Sequence, residues 1–150
     1  MKFVIGYDHT AARLANVVIS HLESRGFDVV DMCGANEEPF EYPLIAYKVA
    51  RVVASGSVDS GILICGTGVG VSITANKVRG IRAVVCSEAY SARLSKQHNN
   101  SNILCFGARV VGDDVAKMIV DAWIDAGAEG GRHADRVKMI TSIEESGSLD

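Results

Sequence analysis

Short runs of consecutive apolar residues alternate along this chain with longer segments in which apolar residues recur every three or four positions. Buried strands of a parallel sheet produce the first pattern and amphipathic helices the second. The alternation therefore predicts an α/β fold: a five-stranded parallel sheet between helical layers, a Rossmann-like three-layer αβα sandwich. The predicted strands cover residues 2–6, 28–31, 61–64, 82–86 and 102–106. A first helix after Asp8 and His9 places Leu14, Val17, Val18 and Leu22 on one stripe and stops at Arg25-Gly26. A second begins near Pro43, where proline suits a first turn, and reaches Ser55-Gly56. Helices over 70–78 and 89–96 follow the third and fourth strands. In the fifth helix Val115, Met118, Ile119, Ala122, Trp123 and Ala126 recur behind Asp113 as N-cap. The last covers 132–144 with Val137, Ile140 and Ile143 inward, and leaves 145–150 as a mobile tail.

The 150 residues suffice for a single domain over 1–150 with one well-buried core. A composition 48% apolar and 22% charged excludes global disorder. A net charge of -3 gives no general attraction to nucleic acid or to an anionic membrane, so any anion must be held locally. Cys33, Cys65, Cys86 and Cys105 stand singly, with neither a C-x-x-C pair nor a zinc-like His spacing, which argues against structural zinc and a disulfide scaffold. The chain enters its first strand without a signal-like segment and holds no apolar run near the ~20 residues of a membrane span, so a cytoplasmic protein with reduced thiols is expected. The acidic stretch 36–41 is a candidate wall of a site.

Ligands of open α/β sheets bind outside the carboxyl ends of the strands. Tyr7-Asp8-His9, the loop from Cys65 to Gly70, Cys86-Ser87-Glu88 and Gly107-Ala108-Arg109 are expected at that edge. Glycines at 66, 68 and 70 leave successive backbone N–H groups bare, and the following helix points its positive end at the same place, forming a nest for negative charge. Cys65 at its mouth reads either as a thiolate favoured by that helix end or as a small buried residue closing a strand. A dinucleotide fingerprint fails at Val71, a P-loop lacks its Gly-Lys-Ser/Thr, and no arginine closes a cysteine-phosphatase cradle. His98, between the fourth helix and the fifth strand, reads as a proton-exchanging group entering the cleft or as a helix-ending residue. Asp8 reads as a helix cap or a catalytic carboxylate, and His21 as packing. Arg132 and Arg136 share a helix face suited to phosphate, or to solvent, and Arg109 adds a third cation.

Taken in order, Gly6-Tyr7-Asp8-His9, Tyr42-Pro43, Ile64-Cys65-Gly66-Thr67-Gly68-Val69-Gly70, Ala75-Asn76-Lys77, Gly80-Ile81-Arg82-Ala83, His98-Asn99, Gly107-Ala108-Arg109 and Gly130-Gly131-Arg132-His133 resemble the type B ribose-5-phosphate isomerases, within the ribose/galactose sugar-phosphate isomerase family. The resemblance implies a cofactor-free and metal-free aldose–ketose interconversion through an enediolate, with ribose 5-phosphate as substrate and a hexose 6-phosphate (allose or galactose) as the alternative. It implies Cys65 as proton-transfer base, Thr67 as its orienting partner, His98 in ring opening and Asp8 at the sugar hydroxyls. Backbone groups of Gly66, Gly68, Val69 and Gly70 would stabilise the oxyanion; His9, Arg109, Arg132 and Arg136 would hold phosphate; Tyr42 and Asn99 would contact substrate. It further implies a homodimer or dimer of dimers whose site is shared between subunits, the segment from His98 to Arg109 reaching the site of the neighbouring subunit. Ala11 and Cys33-Gly34 stand where the family commonly has Gly and Gly-Thr, which bears on the sugar more than on the chemistry. A non-catalytic phosphate- or nucleotide-binding module and a thiol hydrolase using Cys65 and His98 are the competing readings.

Overall fold

Within each strand, neighbouring side chains point to opposite sheet faces, and here both faces are apolar. In the computed structural model, which describes residues 1–34 and 41–149, β1 (Lys2–Tyr7) sends Phe3 and Ile5 to one face and Val4 to the other. The remaining strands are β2 (Asp28–Asp31), β3 (Ser60–Cys65), β4 (Ala83–Val85) and β5 (Ile103–Gly107). They pair in parallel in the order β2-β1-β3-β5-β4. α1 (Ala12–Ser24) and α5 (Asp113–Ile124) cover the Phe3 face, joined by α4 (Ala89–Asn99) through Ala92. α2 (Tyr42–Ala54) and α3 (Val69–Ala75) cover the Val4 face. α6 (Arg132–Ser146) packs on α4. The architecture is the expected α/β sandwich with five parallel strands and helices on both faces.

Parallel strands set all their starts along one edge and all their ends along the other. The pairings Tyr7 with Ile64 and Cys65 with Gly107 bring the ends of β1, β3 and β5 level. Backbone packing then locks two of these ends together. A Cβ on Gly107 would lie 2.5 Å from Thr67 Cα, and one on Gly68 would lie 2.8 Å from the Phe106 backbone. Gly68 also has φ +82°, a left-handed conformation that lets the chain turn straight into α3.

Several expectations need correction. Asp113 is the first residue of α5 rather than its N-cap, which is Gly112; the Asp113 carboxylate is instead gripped by the Arg13 fork at 2.7 and 2.9 Å. The buried stripe of α5 is Ala116, Ile119, Val120, Trp123 and Ile124; Val115 is largely outside, Met118 is 61% exposed, and Ala126 lies beyond the helix. Trp123 decides that orientation, because its wide ring is fully buried and its Nε1–H donates to Ser101 Oγ at 2.7 Å. Ile140 and Ile143 are not sealed inward but remain half-exposed, lining a groove of about 500 Å³ with Ile81 and Asn99. α4 runs on to Asn99, so His98 and Asn99 occupy its last turn rather than a loop, and α3 stops at Ala75. α6 continues to Ser146 before Gly147 ends it with φ +76°. Of the acidic stretch expected to wall the site, residues 36–40 lie outside the described residues, as does 150.

The Gly68 contact gives a direct test. Gly56 has a similar φ of +74° but open space at its Cβ position. Gly56→Ala is expected to cost about 1–2 kcal/mol for the left-handed conformation alone. Gly68→Ala is expected to cost about 1–3 kcal/mol more, for overpacking against Phe106. Thermal unfolding of both proteins measures the difference; equal melting points would contradict the packing account.

Candidate active site

The strand-end edge gathers the first group of residues. Cys65 closes β3 and is 6% exposed, and its Sγ accepts a hydrogen bond from the Gly68 N–H at 3.1 Å. That donor belongs to the glycine nest, so the sulfur already occupies a place built to receive negative charge. Thr67 is exposed, and its Oγ1 accepts from the Val69 N–H at 3.3 Å. The carbonyls of Cys65 and Gly66 accept from the N–H groups of Ala108 and Arg109 at 2.8 and 3.0 Å, tying the loop to the end of β5. The Arg109 side chain lies over Gly66, with its nearest atoms 3.7 Å from the place a Cβ would take. The Tyr42 ring lies against Gly70, where a Cβ would come within 2.6 Å of it.

On the β1 side, Asp8 is half-buried, and its Oδ1 accepts from both the N–H and the hydroxyl of Thr10, at 2.9 and 2.6 Å. It holds a turn rather than capping α1, whose N-cap is Ala11 without a side-chain bond. His9 is exposed beside it. Tyr7 donates its hydroxyl to Asp31 at 3.1 Å, and Cys33 Sγ lies 3.1 Å from the Tyr7 carbonyl. Burial, with the Asp31 charge adding to it, pushes the Tyr7 phenol up to about 12.

All four cysteines are free and buried. Burial raises the thiol pKa of Cys33, raises Cys86 to about 11 and raises Cys105 well above the ordinary range. These three are therefore held as neutral thiols near neutral pH. His21, expected to be packing, is half-buried with its Nε2 2.7 Å from Asp121.

The second group gathers at the opposite edge. His98 and Asn99 lie before the start of β5, and Arg132 and Arg136 lie on α6, so within one chain they stand at the edge away from Cys65. α4 leads into the start of β5, where the Asn102 side chain binds the Gly80 carbonyl and the Arg82 N–H ahead of β4. α6 crosses that same edge and in its last turn carries Glu144, whose carboxylate accepts from the Gly80 N–H at 3.0 Å. His98 stacks on His133, with centroids 4.0 Å apart and planes 6° from parallel. Glu129 Oε2 lies 3.9 Å from His98 Nε2 and 3.6 Å from His133 Nε2. The Arg132 Nε–H points at His133 Nε2 at 3.5 Å. Asn99, Arg132 and Arg136 are exposed. Sequence reasoning assigned no role to Glu129 or His133; the signal for His133 was its place directly after Arg132, and Glu129 carried none. The atoms of His98, Glu129 and His133 fall within 4.8 Å of one another. Stacked rings keep their lone pairs side by side instead of converging, so the cluster orients imidazoles better than it grips an ion.

The chain was compared with known proteins. A family model described as ribose/galactose isomerase matches residues 3–140. The ribose-5-phosphate isomerase B of Escherichia coli K12 is 57% identical over 144 residues, spanning 96% of this chain and 97% of that protein. A Clostridium thermocellum ribose-5-phosphate isomerase B structure superposes with a TM-score of 0.94 at 50% identity, covering 99% and 100% of the two chains. A Mycoplasma genitalium ribose-5-phosphate isomerase B structure with bound ribulose-5-phosphate matches with a TM-score of 0.91 at 41% identity, covering 97% of each. No helix among the described residues is long and apolar enough to cross a membrane.

Tyr7 offers a pH test of the β1 side of this site. Its pKa is raised from 10.0 to about 12, so the neutral phenol is the stabilised form. The stabilisation is complete below pH 10 and is lost as pH climbs from there towards 12. A difference titration of phenolate absorbance between the parent and Tyr7→Phe should isolate one late ionisation near the upper value. Ionisation close to pH 10 would contradict the half-buried Tyr7–Asp31 pairing.

Proposed function

The chain belongs to the ribose/galactose isomerase family, and from that premise we propose that it interconverts ribose 5-phosphate and ribulose 5-phosphate through an enediolate. The observation that carries this reading is the Cys65 sulfur held at the glycine nest by the Gly68 N–H. The Escherichia coli relative and the Mycoplasma genitalium structure with bound ribulose-5-phosphate support the choice of sugar.

In the proposed sequence, His98 takes the O1 hydroxyl proton of the furanose, the bond from C1 to the ring oxygen breaks, and that oxygen gains a proton at the Asp8 side. The Cys65 thiolate then removes the C2 proton, and the electron pair moves into a C1–C2 double bond while O1 becomes an oxyanion. The N–H groups along Gly66, Gly68, Val69 and Gly70 meet that charge, and Thr67 orients the base. Asp8 carries the proton between O2 and O1. The Cys65 thiol returns its proton to C1 and ribulose 5-phosphate results. His9, Arg109, Arg132 and Arg136 hold the phosphate, with Tyr42 and Asn99 against the sugar. No metal or cofactor enters this sequence.

This reading needs groups from both sheet edges, so a complete site takes His98, Asn99, Arg132 and Arg136 from a second copy of the chain. Tyr42, Leu44, Val69 and Ile73 around the nest, and Met139, Ile140 and Ile143 on α6, are exposed apolar side chains that a second copy would cover. A cytoplasmic setting fits a phosphorylated metabolite and four free thiols.

Removing a general base typically costs about 10²–10⁴-fold in rate. Cys65→Ala is therefore expected to lose turnover of ribose 5-phosphate by that order and to stop solvent deuterium entering C2, with chelators leaving the parent enzyme unaffected. Parent-like turnover in Cys65→Ala would refute the thiol's role, and loss of activity to a chelator with recovery on adding a divalent ion would refute the metal-free route. A panel of ribose, allose and galactose phosphates identifies the sugar; binding without hydrogen exchange at C2 of any of them would favour the non-catalytic reading.

A further inference from the structure

His98 does not stand alone at its edge. Its imidazole lies flat on His133, 4.0 Å away between centroids, and the Glu129 carboxylate faces the Nε2 atoms of both rings. His133 is the best shielded member, 9% exposed, while His98 remains about one-third exposed. The Arg132 Nε–H lies 3.5 Å from His133 Nε2, a contact that suits a neutral ring with its hydrogen on Nδ1.

The ground beneath His98 is also firm. The turn between α4 and β5 is held by Ser95 and Ser101, whose hydroxyls lie 2.9 Å apart, and by Trp123 Nε1 donating to Ser101. Lys96 Nζ donates to the Ser101 carbonyl at 3.0 Å and lies 4.4 Å from the centroid of the Trp123 ring. Glu129 is tethered to the same helix by its own N–H, which donates to the Gln97 carbonyl at 2.8 Å. The backbone around His98 is thus fixed by buried bonds, and the ring itself by stacking.

We propose that His133 and Glu129 are positioning residues for His98: His133 is the neutral platform that fixes the plane of the His98 ring, and Glu129 is the carboxylate that orients its Nε2 edge. The inference rests on the ring-opening reading of His98 given above. The charged and titratable groups that face His133 are His98 from α4, Glu129 from the connection before α6, and Arg132 and Arg136 from α6 itself. Burial lowers the His133 pKa, and the positive charge of its neighbours lowers it further against the opposing pull of Glu129. A platform that stays uncharged does not repel His98 when that ring accepts a proton.

The test separates ring opening from proton transfer between carbons. Ribulose 5-phosphate carries phosphate on O5 and cannot close a furanose, so exchange of its C1 hydrogen with solvent deuterium reports the Cys65 step without ring opening. His133→Ala is expected to lower kcat on ribose 5-phosphate by roughly 10- to 100-fold, the scale of a misplaced catalytic group, with KM and C1 exchange within about twofold of the parent. His133→Phe, which keeps a flat ring under His98, should recover most of that loss. Glu129→Gln should lower kcat on ribose 5-phosphate while leaving C1 exchange within about twofold of the parent, because the carboxylate that faces the Nε2 edge is gone.

Equal loss of isomerisation and C1 exchange in His133→Ala would mean a general structural role and would overturn the proposal. So would parent-like turnover in that variant, a His133→Phe protein as slow as His133→Ala, or parent-like turnover in Glu129→Gln. If His133→Ala does not fold, the His133→Phe and Glu129→Gln measurements still decide. His98→Ala separates the ring-opening role from its positioning. Parent-like turnover there removes the ring-opening role itself; lost turnover there beside parent-like His133→Ala removes only the positioning.

Discussion

The close approach of two stretches of backbone governs the rest of this site. The end of β5 lies so near the loop after β3 that a single methyl on Gly107 or Gly68 would meet main-chain atoms at 2.5 and 2.8 Å. Two glycines allow this contact, and the contact in turn holds the loop in a shape that turns the Gly68 N–H onto the Cys65 sulfur. Two further hydrogen bonds, from Ala108 and Arg109 to the carbonyls of Cys65 and Gly66, fix the loop from the other side. Because β5 lies between β3 and β4 and is fully buried, the nest inherits the rigidity of the core. Cys65 needs no further support to face it.

The parallel sheet imposes a second constraint. A chain that always crosses back from strand end to strand start delivers some loops to one edge and the rest to the other. Asp8, Cys65 and Arg109 follow strands, whereas His98 precedes one, and α6 returns along the starting edge. A single copy therefore carries the Cys65 thiol and its glycine nest at one end and an imidazole–arginine cluster at the other. On the proposed reading the economy is two-fold: one small domain supplies both halves of a site, and a second copy brings them together. That arrangement would also cover the apolar side chains that α2, α3 and α6 leave in solvent.

Much of the fold was legible because period and punctuation agree. Buried strands such as β3 and β5 are unbroken apolar runs, and Pro43 and Gly26 mark helix limits as their backbone preferences require. The nest was legible for the same reason, since glycines at 66, 68 and 70 have few other uses beside a strand end. What local pattern did not reveal was set by partners far away in the chain. Asp113 has the composition of a cap, yet Arg13, a hundred residues earlier, takes its carboxylate. Val115 and Met118 share a period with the true stripe of α5, but the bulk of Trp123 rotates the helix away from them. His98 borders the start of β5 rather than its end, which within one chain puts it at the edge away from Cys65. Glu129 carried no signal at all, because its meaning lies in two rings on different helices.

The central claim is that the two edges of the sheet form one site only between copies. Co-expression of Cys65→Ala and His98→Ala chains tests it most directly. Each variant alone lacks one half of every site, but a mixed pair rebuilds one intact site from the two unaltered halves. The account predicts that random pairing restores about a quarter of parent activity on ribose 5-phosphate. Activity no higher than that of the separate variants would contradict it.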